Sequence, residues 1–247
     1  MTRRIYPKPP IVEAVVELRF VADNVAETLL EALGGKLSSQ YPGDRKIQEL
    51  VETSGQVSPE SVRTASRRTP HVTFLRSSDG VRLIGCGAKT MSVHNLAPYA
   101  GWESFFEQIE EAVAAVPSGL RGGGLEAISV RYIDRMTLPA GGHPFTDYLT
   151  IMPPCPGPMP SEIAEFHVVT QTMDSTDSSI ALLTLASAPP TPEGRPVLLH
   201  DLHLHRRGTP LCGVDDRGWV DIVNALHERQ RDVFEASITD KMRELFQ

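Results

Sequence analysis

The chain has 247 residues and a mass of 27.1 kDa, room for one large domain or two small ones. Hydrophobic residues make up 40% and charged residues 22%, ordinary globular usage that argues against a disordered, collagenous or membrane-spanning chain. Lys and Arg number 24 against 31 Asp and Glu, so the net charge of −7 repels phosphate backbones and anionic lipid; neither nucleic acid nor a membrane is the expected partner.

From Ile11 to Phe20 the chain alternates. Val12, Ala14, Val16, Leu18 and Phe20 fall on one face and Glu13, Glu17 and Arg19 on the other, which predicts a half-buried strand. A helix is expected next, capped by Asp23 or Asn24, striped by Val25, Leu29 and Leu33, and ended by Gly34-Gly35. Short strands are predicted over 46–52, 71–76, 81–85 and 89–95, with Ser78-Asp79-Gly80 as the turn between the middle two. A helix from 101 to 116 follows, with Trp102, Phe105, Phe106, Ile109, Val113 and Val116 at helical spacing. After a glycine-rich join at 117–124 come strands over 125–138, 165–173, 179–186 and 197–206. The last helix carries Trp219, Ile222, Val223, Leu226 and Val233, and Ser237 or Thr239 caps a final turn.

The two tryptophans each follow a glycine at a helix start, and Ile128, Val130 and Tyr132 repeat the register of Val12, Ala14 and Val16 at nearly the same offset. This pattern reads as two diverged β-α-β(3-4)-α units, 1–120 and 121–247, forming one compact α+β body. Hairpins rather than crossover helices join the strands, so the expected architecture is antiparallel sheet with helices on one face. By fold analogy it is TBP-like or helix-grip-like.

Four blocks occur in a recognisable order: Pro9-Pro10-Ile11-Val12-Glu13-Ala14-Val15-Val16-Glu17-Leu18-Arg19-Phe20; Tyr99-Ala100-Gly101-Trp102-Glu103-Ser104-Phe105; Val130-Arg131-Tyr132-Ile133-Asp134-Arg135; and Phe234-Glu235 with Ile238-Thr239 and Arg243-Glu244-Leu245-Phe246. Together they resemble a sporadically distributed, uncharacterised bacterial protein family of about this length. The resemblance spans nearly the whole chain and implies a cytoplasmic bacterial protein from an accessory gene neighbourhood; it implies no reaction and no catalytic residues. Where the family pattern would place an apolar strand with alternating aspartates, this chain has Leu198-Leu199-His200-Asp201-Leu202-His203-Leu204-His205.

That strand is the first chemical candidate. Asp201, His203 and His205 share one face, donor types that suit a divalent metal such as zinc, iron or manganese; the other reading is a solvated face opposite a leucine core. His167 and His227 are candidates to complete such a site. Second come the charges of the two equivalent strands. Glu13, Glu17 and Arg19 on one, with Arg131 and Arg135 on the other, either line a concave ligand-binding surface or form cross-strand ion pairs in water. Cys86, in Gly85-Cys86-Gly87, is either an exposed thiol beside a turn or a small buried residue. The proline-rich stretch 139–160 is either a partner-contact loop with one short helix near Phe145, Tyr148, Ile151 and Met152, or a stiff connection.

Phosphate loop, dinucleotide fingerprint and nucleophile elbow are all absent from the sequence. The three widely spaced cysteines suit a reducing cytoplasm, and Arg3-Arg4 is followed by no apolar run of signal-peptide length. The expectation is therefore a cytoplasmic, non-catalytic binding or partner protein of an accessory biosynthetic or defence system, needing no cofactor. It would hold a protein, peptide or small ligand on a concave sheet, with the helix 101–116 apolar enough to serve a homodimer. The alternative is a metal-dependent enzyme using Asp201, His203 and His205.

Overall fold

The computed structural model describes residues 4–58, 61–141, 144–158 and 163–247, with side chains outside the description at 44 and 49–70. Arg3 of the paired arginines and Pro160 of the proline-rich stretch lie outside the described residues. The first half runs β1 (Ile11–Phe20), α1 (Ala26–Lys36), β2 (Gly43–Ser58), β3 (Ser61–Arg76), β4 (Arg82–Gly87), β5 (Thr90–Leu96) and α2 (Trp102–Ala115). A short α3 (Ser118–Arg121) leads to β6 (Leu125–Thr137), β7 (His167–Met173), β8 (Ile180–Ala188), β9 (Val197–Cys212), α4 (Gly218–Ser237) and α5 (Asp240–Arg243).

The nine strands form one antiparallel sheet in the order β2-β3-β4-β5-β1-β6-β9-β8-β7. The α+β class with antiparallel sheet is thus as the alternation predicted. β1 and β6 lie side by side at the centre, with Ala14 opposite Tyr132, Val16 opposite Val130 and Leu18 opposite Ile128. Strand alternation sends these residues to one face, where they meet Met91, Val93, Leu202 and Leu204 from the flanking strands and the apolar stripes of α1, α2 and α4. The opposite face carries Glu13, Glu17, Arg19, Arg131, Asp201, His203 and His205 and has no helix packed on it among the described residues.

Several local expectations are corrected. Asp23 and Asn24 do not cap α1. Its N-cap is Val25, without a side-chain hydrogen bond, and the helix runs through Gly34-Gly35 to Lys36. Gly in a helix costs about 1 kcal/mol relative to Ala. Continuing the turn seats Leu37 in the core behind Leu29 and Leu33, and lets Lys36 Nζ donate to the Ala115 carbonyl of α2 at 3.1 Å. The two Gly-Trp starts also differ. Gly101 is the cap of α2 at φ 102, a backbone position open to glycine, whereas Gly218 is already helical and Arg217 before it takes the left-handed cap. Among the described residues between β6 and β7, only a three-residue 3-10 turn, Phe145–Asp147, stands where a second copy would carry the counterpart of α1. The join 117–124 contains α3, not an open turn.

The proline-rich stretch packs inward at one point. Tyr148 and Leu149 enter a second apolar cluster with Met136, Leu138, Leu198, Phe234, Ile238, Met242 and Phe246. Thr239 caps α5 as expected, its Oγ1 accepting from Met242 N at 3.3 Å.

Candidate functional site

On the open face of the sheet, the sequence-predicted charges fall into separate pairs. Glu13 lies 2.8 Å from His94 Nδ1, and the other imidazole nitrogen lies 2.8 Å from Ser92 Oγ. Arg131 holds Asp201 in a fork, Nε to Oδ1 at 2.8 Å and Nη2 to Oδ2 at 2.6 Å. The Arg131 side chain is 44% exposed, so the pair stabilises the sheet by at most about 1 kcal/mol. Arg19 pairs with Glu126 at 2.7 Å, and Arg135 is exposed near the end of β6. Glu17 lies on β1 between Ser92 of β5 and Ser129 of β6; burial pushes its carboxyl up.

A shallow hollow of about 520 Å³ collects Glu17, Arg19, Glu126, Ser129, His203, His205 and Arg207. Of the candidates read from sequence it therefore contains Glu17, Arg19, His203 and His205. Asp201 is turned away to Arg131, His203 and His205 stand with ring centroids 5.5 Å apart, and among the described residues no three His, Cys, Asp or Glu side chains are gathered as a metal would need. His167 and His227 do not join this hollow: His167 is exposed on β7 and His227 is buried on α4, across the sheet.

Burial and the neighbouring His205 push the His203 imidazole down to about 4. The folded protein then binds fewer protons than the unfolded chain between about pH 6.5 and pH 4. His203 accordingly opposes folding as the pH falls through that window and has no effect above it. We expect urea-unfolding free energies of the parent and of His203→Gln to diverge by about 1–2 kcal/mol at pH 4, after allowance for solvent screening, and to run parallel above pH 7. Parallel curves across the whole range would show that His203 is not buried as described. Glu17, displaced upward by burial, acts in the opposite sense and cancels in the comparison.

The other face holds a second concave feature. A cleft of about 360 Å³ opens between segment 4–11, the start of α2 and the outer half of α4. Tyr6, Tyr99, Trp102, Tyr132 and Phe234 give it aromatic walls, with Pro7, Pro9 and Pro10 along one side. A hydrogen-bonded chain crosses its floor: Tyr99 Oη to Tyr132 Oη at 3.0 Å, then Tyr132 Oη to His227 Nδ1 at 3.2 Å. Trp102 stacks flat on His227, centroids 3.7 Å apart and planes 6° from parallel. Burial pushes both tyrosine hydroxyls up, Tyr132 the more strongly, so both are neutral donors near neutrality.

Behind the floor sits an acid–imidazole pair inside the protein. Asp134, which also lines the cleft, lies 3.1 Å from His200 Nδ1, and both side chains are within 1% of complete burial. Burial pushes the Asp134 carboxyl up and His200 pulls it down, the burial effect being the larger. The outer wall is a strap. Tyr6 Oη donates to Glu235 Oε1 at 2.6 Å, Arg243 Nε donates to Glu235 Oε2 at 2.9 Å, and Lys8 N donates to the Phe246 carbonyl at 3.1 Å. Burial, followed by Glu235, pushes the Tyr6 hydroxyl up to about 12, so this latch stays protonated.

All four sequence blocks that carry the family resemblance meet here: Pro9-Pro10-Ile11, Tyr99 to Glu103, Tyr132 with Asp134, and Phe234-Glu235 each supply part of the wall. The ligand and metal candidates read from sequence lie on the opposite face of the sheet, on the polar registers of β1, β6 and β9. Cys86 is buried, with its thiol pushed up to about 12, so it is the small core residue and not a poised nucleophile. Among the described residues no helix is long and apolar enough to cross a membrane. No family model matches the chain, and no curated protein matches it.

Proposed function

We propose that this chain is a binding protein and that its ligand sits in the aromatic cleft between segment 4–11, α2 and α4. The observation that carries the reading is the convergence of four distant segments on one concave space with aromatic walls and a continuous hydrogen-bonded floor. Its volume lies within the roughly 300–1,000 Å³ typical of small-molecule sites, and a few polar groups among apolar walls are what orient a bound organic molecule. The role in a bacterial accessory system rests on the sequence resemblance alone. The metal-dependent reading of Asp201, His203 and His205 has less support, because Asp201 is engaged through both oxygens by Arg131.

An NMR fragment screen tests the location. Binders are expected to shift the Trp102 indole and to lose most of their affinity in Trp102→Ala, because the indole forms a wall of the cleft and covers His227. Hits that perturb His203 and His205 but leave Trp102 unmoved would place the site on the open face and overturn the cleft.

A further inference from the structure

Among the described residues that line the cleft, Arg231 carries a charge that is poorly answered. Arg231 reaches Glu228 only at 4.0 Å, and its Nη2 donates to the Arg4 carbonyl at 3.4 Å, both at the long limit for such contacts. A guanidinium carries five N–H donors, so most of its capacity is left for something else. The other charges are settled. Asp134 faces His200, Glu235 accepts from Tyr6 and Arg243, Arg4 lies on the rim 3.6 Å from Asp240, and Glu103 is exposed in the first turn of α2, where the helix dipole favours it.

Arg231 also acts on the floor. Its charge favours ionisation of both Tyr99 and Tyr132 against the burial that opposes it, which places a positive field on the two hydroxyls. The floor chain has two possible directions. When His227 Nδ1 donates to Tyr132 and Tyr132 donates to Tyr99, the Tyr99 O–H is left as a donor beside the cleft space. An anionic acceptor selects that direction, and a guanidinium fork matches the two oxygens of a carboxylate.

We infer that the ligand class of the cleft is an organic carboxylate with an apolar or aromatic body, its acid group held by Arg231 and the Tyr99 hydroxyl and its body lying between Trp102, Tyr6 and Phe234. This deepens the cleft reading and rests on it. The two are separated by a matched series, 4-phenylbutyrate, 4-phenylbutyramide and 4-phenylbutylamine, titrated against the whole chain by calorimetry at neutral pH. The acid is expected to bind about ten- to a hundred-fold more tightly than the amide, the weight of charge-assisted hydrogen bonds, and the amine least of all.

Arg231→Gln should abolish the advantage of the acid and leave the amide within about two-fold of its parent affinity. Arg231→Lys, which keeps the charge but not the fork, should fall between them. Circular dichroism on each variant establishes that the fold is kept; if Arg231→Gln is not folded, Arg231→Lys and the ligand series decide the matter. Equal affinity for acid and amide overturns the carboxylate assignment and leaves the cleft standing. Tightest binding of the amine overturns it in favour of Asp134 as the governing charge. Binding by none of the three, with no perturbation of Trp102, overturns the carboxylate and the cleft together.

Discussion

Asp134→Ala is expected to destabilise the protein by about 3–5 kcal/mol, and His200→Ala by a similar amount, measured as the loss in urea-unfolding free energy at neutral pH. The two side chains come from neighbouring strands, paired directly in the register of β6 and β9, and neither has measurable access to water. Removing one leaves the other stranded in a low-dielectric interior. His200 already has a buried Nε2 without a hydrogen-bond partner, so it has no second hydrogen bond to fall back on. Because each single substitution exposes the same stranded-partner penalty, the double variant should lose clearly less than the sum of the two. Single losses under about 1 kcal/mol, or strict additivity, would show that the pair is solvated or not formed. Asp134 stands two residues beyond Tyr132 on β6 and lines the cleft, so the same pair borders the candidate site.

How legible this was depends on the kind of pattern. Strand alternation from Ile11 to Phe20 and helical spacing from Trp102 to Val116 are local signals, and the observed elements follow them closely. The first helix was misjudged at Gly34-Gly35 because its end is decided by tertiary packing, Leu37 against the core and Lys36 against α2, which no local rule contains. The length of β3 and β9 was missed for a similar reason. Their outer ends, such as Arg207 to Cys212 of β9, carry no alternation; Arg207 and Cys212 are held by pairing to Ala127 and Leu125 of β6.

The cleft was hidden by distance along the chain, since Tyr6, Tyr99, Tyr132 and Arg231 lie in four different segments. One signal did point to it. Asp134 continues the buried register of Val130 and Tyr132, and His200 continues that of Leu202 and Leu204; an acid and an imidazole in core phase on two strands ask for each other. Attention to charges on the polar register led instead to Glu13, Glu17, Arg19, Arg131 and Arg135, which the structure spreads over the open face, several of them in ion pairs.

The second large effect is expected at Phe105, a residue with no ligand-facing role. Its ring has no access to water and packs edge-on against Trp102 at 6.0 Å and Tyr99 at 6.3 Å, on the core side of the cleft. Phe105→Ala should lower stability by about 3–5 kcal/mol, the sum of lost burial and the cavity left behind. Phe105→Leu, which refills most of that space, should lose less than half as much. The functional consequence follows from the same contacts. With Phe105 gone, Trp102 and Tyr99 lose the surface that sets their angles, so cleft binders should weaken in Phe105→Ala even under conditions where the variant remains folded. Calorimetric titration of a cleft binder beside urea unfolding separates the two effects. Affinity that stays at the parent value while stability falls would mean that Trp102 and Tyr99 are held by Phe106, His227 and Tyr132 alone, and that the walls are built from the cleft side and not from the core.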